Sequence, residues 1–130
     1  MISLQIHAKK GHSLSAQLAQ QLRHGILAGR IASGERLPSV REISAQLGIH
    51  PLTIAKAYAT LENEGLVQTR WGKGTFAVGG GEKKSKKSQN YVKELVSKFI
   101  EETLPLVNSQ HELKVIFEEQ LKTRAQKPVM

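Results

Sequence analysis

The stretch SVREISAQLGIHPLTIAKAY, residues 39–58, decides the fold of this chain. Ser39 precedes Glu42 by three residues, a spacing that predicts a capping box, in which each side chain satisfies a free backbone N–H at a helix start. That helix should stop at Gly48. Pro51 should begin the next helix, because the N–H at the first helical position has no partner to lose. The stretch therefore predicts two helices joined by a very short turn.

Apolar residues recur at helical spacing on both sides of this turn. A first helix should start at Ser13 and end near Gly29, before a loop with the sequence RIASGERLP. A third helix should run from about Pro51 to Glu64, where Gly65 supplies a stop signal. The predicted inward-facing residues are Leu14, Leu18, Leu22 and Ile26 in the first helix, Val40, Ile43 and Leu47 in the second, and Ile54, Tyr58 and Leu61 in the third.

Alternating residues after the third helix predict a β-hairpin. The alternation comprises Val67, Thr69 and Trp71 before a turn at Gly72-Lys73, and Phe76 and Val78 after it. Because Trp71 shares its strand face with Val67, we expect this tryptophan in the core or at its rim, although it could instead be a stacking platform. Two helices joined by a tight turn and followed by a hairpin describe a winged helix-turn-helix.

The sequence divides into three predicted parts. Residues 1–78 form the winged helix-turn-helix, preceded by a short extended arm in which Ile2, Leu4 and Ile6 alternate with polar residues. Residues 79–90, GGGEKKSKKSQN, contain no apolar side chain and predict a flexible basic linker. Its lysines are typical of a solvated linker, although they could also add nonspecific affinity for nucleic acid. They are Lys83, Lys84, Lys86 and Lys87.

Residues 91–130 predict a helical hairpin. Its first helix should end near Leu104-Pro105, and Ser109 with Glu112 marks a second capping box. Each helix carries an apolar face that a single hairpin cannot bury, whereas two hairpins can form a four-helix bundle with one shared core. We therefore expect a mainly α chain with a small β-hairpin, in which a winged helix-turn-helix is followed by a two-helix dimerisation hairpin. The predicted dimerisation residues are Val92, Leu95, Phe99, Leu113, Ile116, Phe117 and Leu121.

Charge and composition favour a binding protein over an enzyme. A net charge of +8 in 130 residues favours a polyanionic partner. The chain has no cysteine, which excludes disulfides and thiol chemistry. It has no aspartate, and its histidines are too scattered for a metal site or a catalytic triad. These histidines are His7, His12, His24, His50 and His111.

No other motif indicates a cofactor or a membrane location. The GKGT sequence at residues 72–75 lacks the upstream glycine of a phosphate-binding loop and lies in a predicted hairpin. No apolar run approaches the roughly 18 residues of a membrane span, and the N-terminus lacks the apolar core of a signal peptide. We expect a cytoplasmic protein without a cofactor.

Residues 14–76 closely resemble the DNA-binding domain of GntR-type transcription regulators. The resemblance depends on GERLPSVREIS at residues 34–44, LENEGLV at residues 61–67 and GKGTF at residues 72–76, which occur in order and at family spacing. A short tail of two helices, in place of a large ligand-binding domain, resembles the small YtrA-like subgroup, in which two such hairpins pair into a dimer.

The resemblance implies roles for the residues that match its motifs. Arg41 would contact DNA phosphates or bases, Thr53 would lie near the start of the recognition helix, and the wing tip would approach the minor groove. The chain departs from many family members at Pro51 and Ala55, where they carry arginine. Together with neighbouring positions, the predicted DNA-binding residues are Ser39, Arg41, His50, Pro51, Leu52, Thr53, Lys56, Arg70, Gly72 and Lys73.

Several of these residues also have a simpler interpretation. Arg41 could pair with Glu42 or Glu35 instead of DNA. His50 could be an ordinary turn residue, since histidine is a poor N-cap. Leu52 could pack inside the protein or contact a thymine methyl group. Lys56 could be ordinary helix surface, and Arg70 and Lys73 could merely protect an edge strand from aggregation.

The resemblance implies a sequence-specific repressor that acts as a homodimer on an inverted-repeat operator in double-stranded DNA. It also implies control by a small molecule or a partner signal. Two other classes share parts of the pattern. A nonspecific nucleic-acid-binding protein would have the same basic charge, and a protein-interaction module could use a winged helix without binding DNA.

Overall fold

The computed structural model describes residue 4, residues 13–78 and residues 86–125, and the chain forms two compact units that divide after residue 88. Its elements follow one another in the predicted order. They are α1 (Leu14–Leu27), α2 (Val40–Leu47), α3 (Pro51–Asn63), β1 (Val67–Arg70), β2 (Gly74–Ala77), α4 (Lys86–Thr103), a 3₁₀ turn (Leu104–Leu106) and α5 (Gln110–Ala125). Within the predicted N-terminal arm, Ile2 and Ile6 lie outside the described residues.

The core of the first unit lies where α1 and α2 pack against α3. Helix α1 begins as predicted, because the Ser13 Oγ accepts the Ala16 N–H at 3.1 Å. Leu14 differs from the prediction, since it lies in the first turn and is exposed. Val40 and Leu47 are only half-buried, so Ile43 is the fully buried residue of α2. The largest fully buried side chains are Leu18, Leu22, Ile26, Leu37, Ile43, Ile54 and Leu61.

The hairpin is joined by a third extended segment that the sequence did not indicate. Strands β1 and β2 pair antiparallel, with Val67 opposite Ala77. The loop before α2 runs alongside β2, where the Leu37 N–H donates to the Thr75 carbonyl at 2.8 Å and the Ala77 N–H donates to the Glu35 carbonyl at 2.9 Å. This paired segment is too short to show an alternating pattern of its own.

The prediction that Trp71 lies in the core or at its rim is wrong. Strand β1 ends at Arg70, so Trp71 belongs to the turn, and its side chain is 99% exposed. The fully buried residues of the two strands are Val67 and Ala77, at the base of the hairpin. The alternation of side chains therefore stops one residue before the tryptophan.

The second unit contains α5 and most of α4. The C-terminal boundary predicted for the linker, residue 90, is wrong, because α4 begins at Lys86 and residues 86–90 are helical. Lys83 and Lys84 lie outside the described residues. At the start of α5, the Ser109 Oγ accepts the Glu112 N–H at 3.1 Å, as in a capping box. In a complete capping box the Glu112 carboxylate would accept the Ser109 N–H. Here it accepts the N–H of the preceding residue, Asn108, at 2.8 Å.

The apolar faces of α4 and α5 are only partly covered within one chain. The rings of Phe99 and Phe117 lie 5.9 Å apart between centroids, which places these two faces together. Nevertheless α5 has no buried residue. Among the predicted dimerisation residues, Leu95 and Leu113 are half-buried, whereas Val92, Phe99, Ile116, Phe117 and Leu121 are exposed.

Candidate nucleic-acid interface

The turn between α2 and α3 is fixed by Gly48. This residue caps α2 with a φ of 67°, a left-handed conformation that side chains other than glycine rarely adopt. Beyond it, the Ser44 hydroxyl donates to the Ile49 carbonyl at 2.7 Å, and the Ile49 side chain is buried. The turn therefore ends with His50 placed directly before the first residue of α3.

His50 caps the N-terminus of α3, contrary to the expectation that it would be a poor cap. Its Nδ1 accepts the Leu52 N–H at 3.1 Å. A neutral imidazole that accepts through Nδ1 carries its proton on Nε2. Because the residue is exposed, this Nε2–H can donate to an external acceptor, such as a phosphate oxygen or a purine N7. Capping and contact with DNA are thus compatible.

The outer face of α3 contains few polar groups. Leu52 is 72% exposed, so it does not pack in the core of the first unit. Lys56 is exposed one turn later, and Ala55 and Ala59 are exposed beside it. Thr53 is half-buried, and its backbone N–H donates to the His50 carbonyl at 3.0 Å. The exposed face thus offers a short apolar strip with one lysine.

The start of α2 presents an exposed arginine. The predicted capping box is present, since the Ser39 Oγ accepts the Glu42 N–H at 3.0 Å and the Glu42 carboxylate accepts the Ser39 N–H at 3.3 Å. Glu35 instead accepts the Ala32 N–H at 3.1 Å. Arg41 is exposed and has no ion pair or hydrogen bond with any residue that the structure describes. The alternative pairing of Arg41 with either glutamate is therefore not found.

A buried tyrosine ties α3 to the chain that enters α2. The Tyr58 hydroxyl donates a short hydrogen bond to the Pro38 carbonyl. Burial of the phenol, and secondarily the negative charge of Glu42, raise the Tyr58 pKa above its ordinary value. Because Pro38 directly precedes the α2 N-cap Ser39, this bond fixes the position of the start of α2 relative to α3.

The raised Tyr58 pKa predicts a loss of stability at high pH. A raised folded-state pKa means that the stabilisation is complete below the unfolded-state pKa of about 10 and declines as the pH rises above it. Denaturant unfolding at about pH 8 and about pH 10.5 should therefore show a steeper decline for the wild type than for Tyr58→Phe. Equal declines in the two proteins would contradict the assignment. At neutral pH the substitution should cost about 1 kcal/mol, through the lost hydrogen bond.

Basic side chains surround the wing. The Arg70 guanidinium lies 4.9 Å from the centre of the Phe76 ring. Lys73 is exposed at the tip, where its N–H donates to the Arg70 carbonyl at 3.0 Å. Gly72 has a φ of 70° and Gly74 has a φ of 117°, so the tight turn depends on glycine at both positions.

Arg36 is a wing residue that the sequence did not indicate. It forms a bridge opposite Phe76, and its Nε donates to the Lys73 carbonyl at 3.4 Å. Its Nη2 also lies 3.8 Å from the Glu42 carboxylate of α2. Arg36 therefore links the wing to the start of α2. The GERLP sequence contained the residue, but nothing in it indicated pairing with a strand 40 positions later.

The predicted DNA-binding residues thus lie at three neighbouring places in the first unit. Ser39 and Arg41 are at the start of α2, Pro51 and the residues around it are at the start of α3, and Arg70, Gly72 and Lys73 are in the wing. Their contacts with DNA stay predictions. Among the described residues, no group of three or more potential ligands could hold a metal ion, and no helix is long and apolar enough to cross a membrane.

A short helix-turn-helix followed by a basic hairpin defines a winged-helix domain, the fold of the structurally similar transcriptional regulators. The family described as "Bacterial regulatory proteins, gntR family" matches residues 14–77. The chain belongs to this family and is similar to its short YtrA-like members. The fold class and the family resemblance predicted from the sequence are thereby confirmed.

Curated relatives support this assignment. The chain is 42% identical to the HTH-type transcriptional regulator Rv1152 of Mycobacterium tuberculosis, over 56% of this chain and 60% of the relative. It is 37% identical to the HTH-type transcriptional repressor YtrA of Bacillus subtilis, over 56% of each protein. It therefore spans less than two thirds of either relative. The HTH-type regulator YhcF of B. subtilis is 30% identical over 75% of this chain and 80% of its own length.

Solved structures have the same fold. A transcriptional antiterminator from Listeria monocytogenes EGD-e is 25% identical with a TM-score of 0.70, over 98% of this chain and 96% of its own. A GntR family regulator from L. monocytogenes has the same identity and TM-score, over 85% and 97% of the two chains. AraR(DBD), in complex with operator ORX1, is 28% identical with a TM-score of 0.50, over 58% and 96%.

Proposed function

We propose that this protein is a homodimeric repressor that binds an inverted-repeat operator in double-stranded DNA. In this proposal α3 enters the major groove, the wing reaches the adjacent minor groove, and the start of α2 contacts the backbone. The candidate contacts on α3 are the Nε2–H of His50, the methyl groups of Leu52 and the ammonium of Lys56. The rest of the predicted linker, residues 79–85, lies outside the described residues.

The observation that supports DNA binding most directly is that the exposed Arg41 has no ion pair or hydrogen bond with any described residue. Glu35 accepts the Ala32 N–H, and Glu42 accepts the Ser39 N–H and lies 3.8 Å from Arg36, so neither glutamate is paired with Arg41. Its guanidinium is therefore available to a phosphate or to the O6 and N7 of guanine. The chain's net charge of +8 supports the same partner.

Dimerisation is supported by the apolar residues of α4 and α5. Phe99 and Phe117 contact each other, yet they are still 40% and 44% exposed. Pairing with the same faces of a second copy would remove this apolar surface from water in a four-helix bundle. Two-fold symmetry of the dimer would then require two inverted half-sites in the operator.

Repression and an effector site extend this proposal. The relative YtrA is named a repressor, and a dimer bound across an operator would act in that way by occupying the DNA. Since α5 has no buried residue in one chain, a small-molecule effector would bind between helices of the dimer.

Selection from random duplex DNA with the purified full chain tests the proposed function. We expect an enriched sequence with two inverted half-sites. Binding without enrichment would indicate a nonspecific nucleic-acid-binding protein. An absence of binding even at low salt would indicate a winged helix that contacts another protein. Either result would overturn the proposal.

Replacing Arg41 with alanine should weaken binding to the selected duplex by about 1 to 3 kcal/mol, because the substitution removes the guanidinium and with it a contact to a phosphate or a base. Titration of a fluorescein-labelled duplex, followed by anisotropy, measures this loss. The control is Lys122→Ala, which also removes one positive charge, but from an exposed site on α5. Equal affinities for the two variants would show that Arg41 contributes only its charge.

A further inference from the structure

The tip of the wing carries an apolar side chain that the proposed function does not explain. Trp71 is the only tryptophan of the chain, and it is 99% exposed. Tryptophan presents a large apolar surface and usually occupies a core or an interface. Its exposure in the isolated chain therefore leaves this apolar surface available to a partner.

The turn itself holds the indole away from the protein. The hydrogen bond from the Lys73 N–H to the Arg70 carbonyl closes the four-residue turn that contains Trp71. The Arg70 guanidinium lies 4.9 Å from the centre of the Phe76 ring, the other aromatic ring of the hairpin. At Gly72, directly after Trp71, an added Cβ atom would meet no heavy atom within 4 Å, so the turn is open at this position. The indole therefore lies at an open tip.

The charges around the indole indicate which partner it suits. Arg70 and Lys73 flank it in sequence, and Arg36 contacts the carbonyl of Lys73. Residues 67–77 contain no acidic side chain. A single apolar ring framed by cations matches the DNA minor groove, where phosphates line both rims and apolar deoxyribose walls lie between them. A lipid surface would instead favour several apolar residues on one face of an amphipathic helix.

We propose that Trp71 inserts into the minor groove beside the site of α3, where its ring packs on deoxyribose and partly stacks into a base step. Apolar side chains at such positions partly unstack a base step, which favours flexible pyrimidine–purine steps. This proposal rests on the proposed function, since it requires that the wing reach DNA. It adds a contact that recognises DNA deformability rather than base identity.

The single tryptophan makes the test direct. Tryptophan emission of the full chain is recorded during titration with the unlabelled duplex recovered by selection, while a fluorescein-labelled copy reports binding through anisotropy. We expect quenched emission and reduced access to acrylamide at saturation. Binding by anisotropy without any change in tryptophan emission would overturn the insertion of Trp71 and leave the proposed function intact. No binding by anisotropy would instead overturn the proposed function.

Variants of the tip separate stacking from charge. Trp71→Ala should weaken binding about 5- to 50-fold without changing the slope of log affinity against log salt, because stacking releases no counterions. Trp71→Phe should recover most of this loss, since it retains an aromatic face. Lys73→Ala should lower affinity and also reduce the salt slope by about one. Circular dichroism should show an unaltered fold for each variant.

Two further outcomes would overturn the inference. One is an unchanged affinity of Trp71→Ala for the selected duplex. The other is a change in tryptophan emission with anionic phospholipid vesicles but not with the duplex, which would assign Trp71 to a membrane surface. If the proposal holds, an operator with a pyrimidine–purine step placed under the wing should bind more tightly than one with a stiff A-tract there.

Discussion

Replacing Leu61 with alanine is expected to lower the free energy of unfolding by about 3 to 5 kcal/mol. Leu61 has no solvent exposure and lies on the face of α3 that packs on α1. Truncation removes apolar contacts and leaves a cavity that surrounding helices fill only partly. A loss of this size is a large fraction of the stability of a domain of this length. Urea denaturation followed by circular dichroism measures it.

Leu52 provides a matched control on the same helix. Leu52→Ala is the same substitution at a side chain that is 72% exposed, so it should change the unfolding free energy by no more than about 0.5 kcal/mol. It should instead weaken binding to the selected duplex, if the leucine contacts a thymine methyl group. Equal losses of stability in the two variants would contradict the assigned orientation of α3. Unchanged DNA binding by Leu52→Ala would remove Leu52 from the interface.

Replacing Phe117 with glutamate is expected to convert the proposed dimer into a monomer. The shared core of a four-helix bundle would have to bury the new carboxylate, which costs several kcal/mol without a partner. Because a dimer binds both half-sites with a high effective concentration, operator affinity should then fall by about 100-fold or more. Sedimentation velocity measures the change in mass, and anisotropy with the selected duplex measures the loss of affinity.

Val115→Glu is the control for this dimer prediction. Val115 is 39% exposed and Phe117 is 44% exposed, so the two residues are similarly accessible in one chain. They lie two positions apart, which places them about 200° apart around α5. Val115→Glu should therefore leave the dimer intact. A wild-type chain that is already monomeric at micromolar concentration would overturn the proposed dimer. If Phe117→Glu and Val115→Glu both dissociate the dimer, the effect comes from any new charge on α5 and not from the position of Phe117.

Local signals made much of the first unit predictable. The capping box at Ser39, the proline at the start of α3 and the glycine after α2 each act within a few residues, so the sequence alone contains the necessary information. The apolar spacing of α1 and α3 similarly predicted most of their buried residues, although Leu14 is exposed. These signals were sufficient to place Arg41 and Lys56 on the surface beside the turn.

Features that depend on distant residues could not be predicted in this way. The pairing of residues 34–37 with β2 requires the folded hairpin, and so does the contact of Arg36 with Lys73. The exposure of Trp71 depends on where β1 stops, and the alternating pattern continued one residue beyond that point. The cap at His50 escaped prediction because the preference scale for caps describes averages, whereas the geometry here brings Nδ1 within 3.1 Å of the Leu52 nitrogen.

The attachment of the wing to the loop before α2 limits how this protein can be re-engineered. The hairpin shares backbone hydrogen bonds with Gly34, Glu35 and Leu37, and the Arg36 side chain fills the space beside Gly74. A graft of residues 67–77 alone from a relative would keep these backbone bonds, which do not depend on side chains, but would lose the fit between Arg36 and the turn. A chimaera that changes the groove preference must therefore exchange two separate segments, residues 34–37 and the hairpin, as one part.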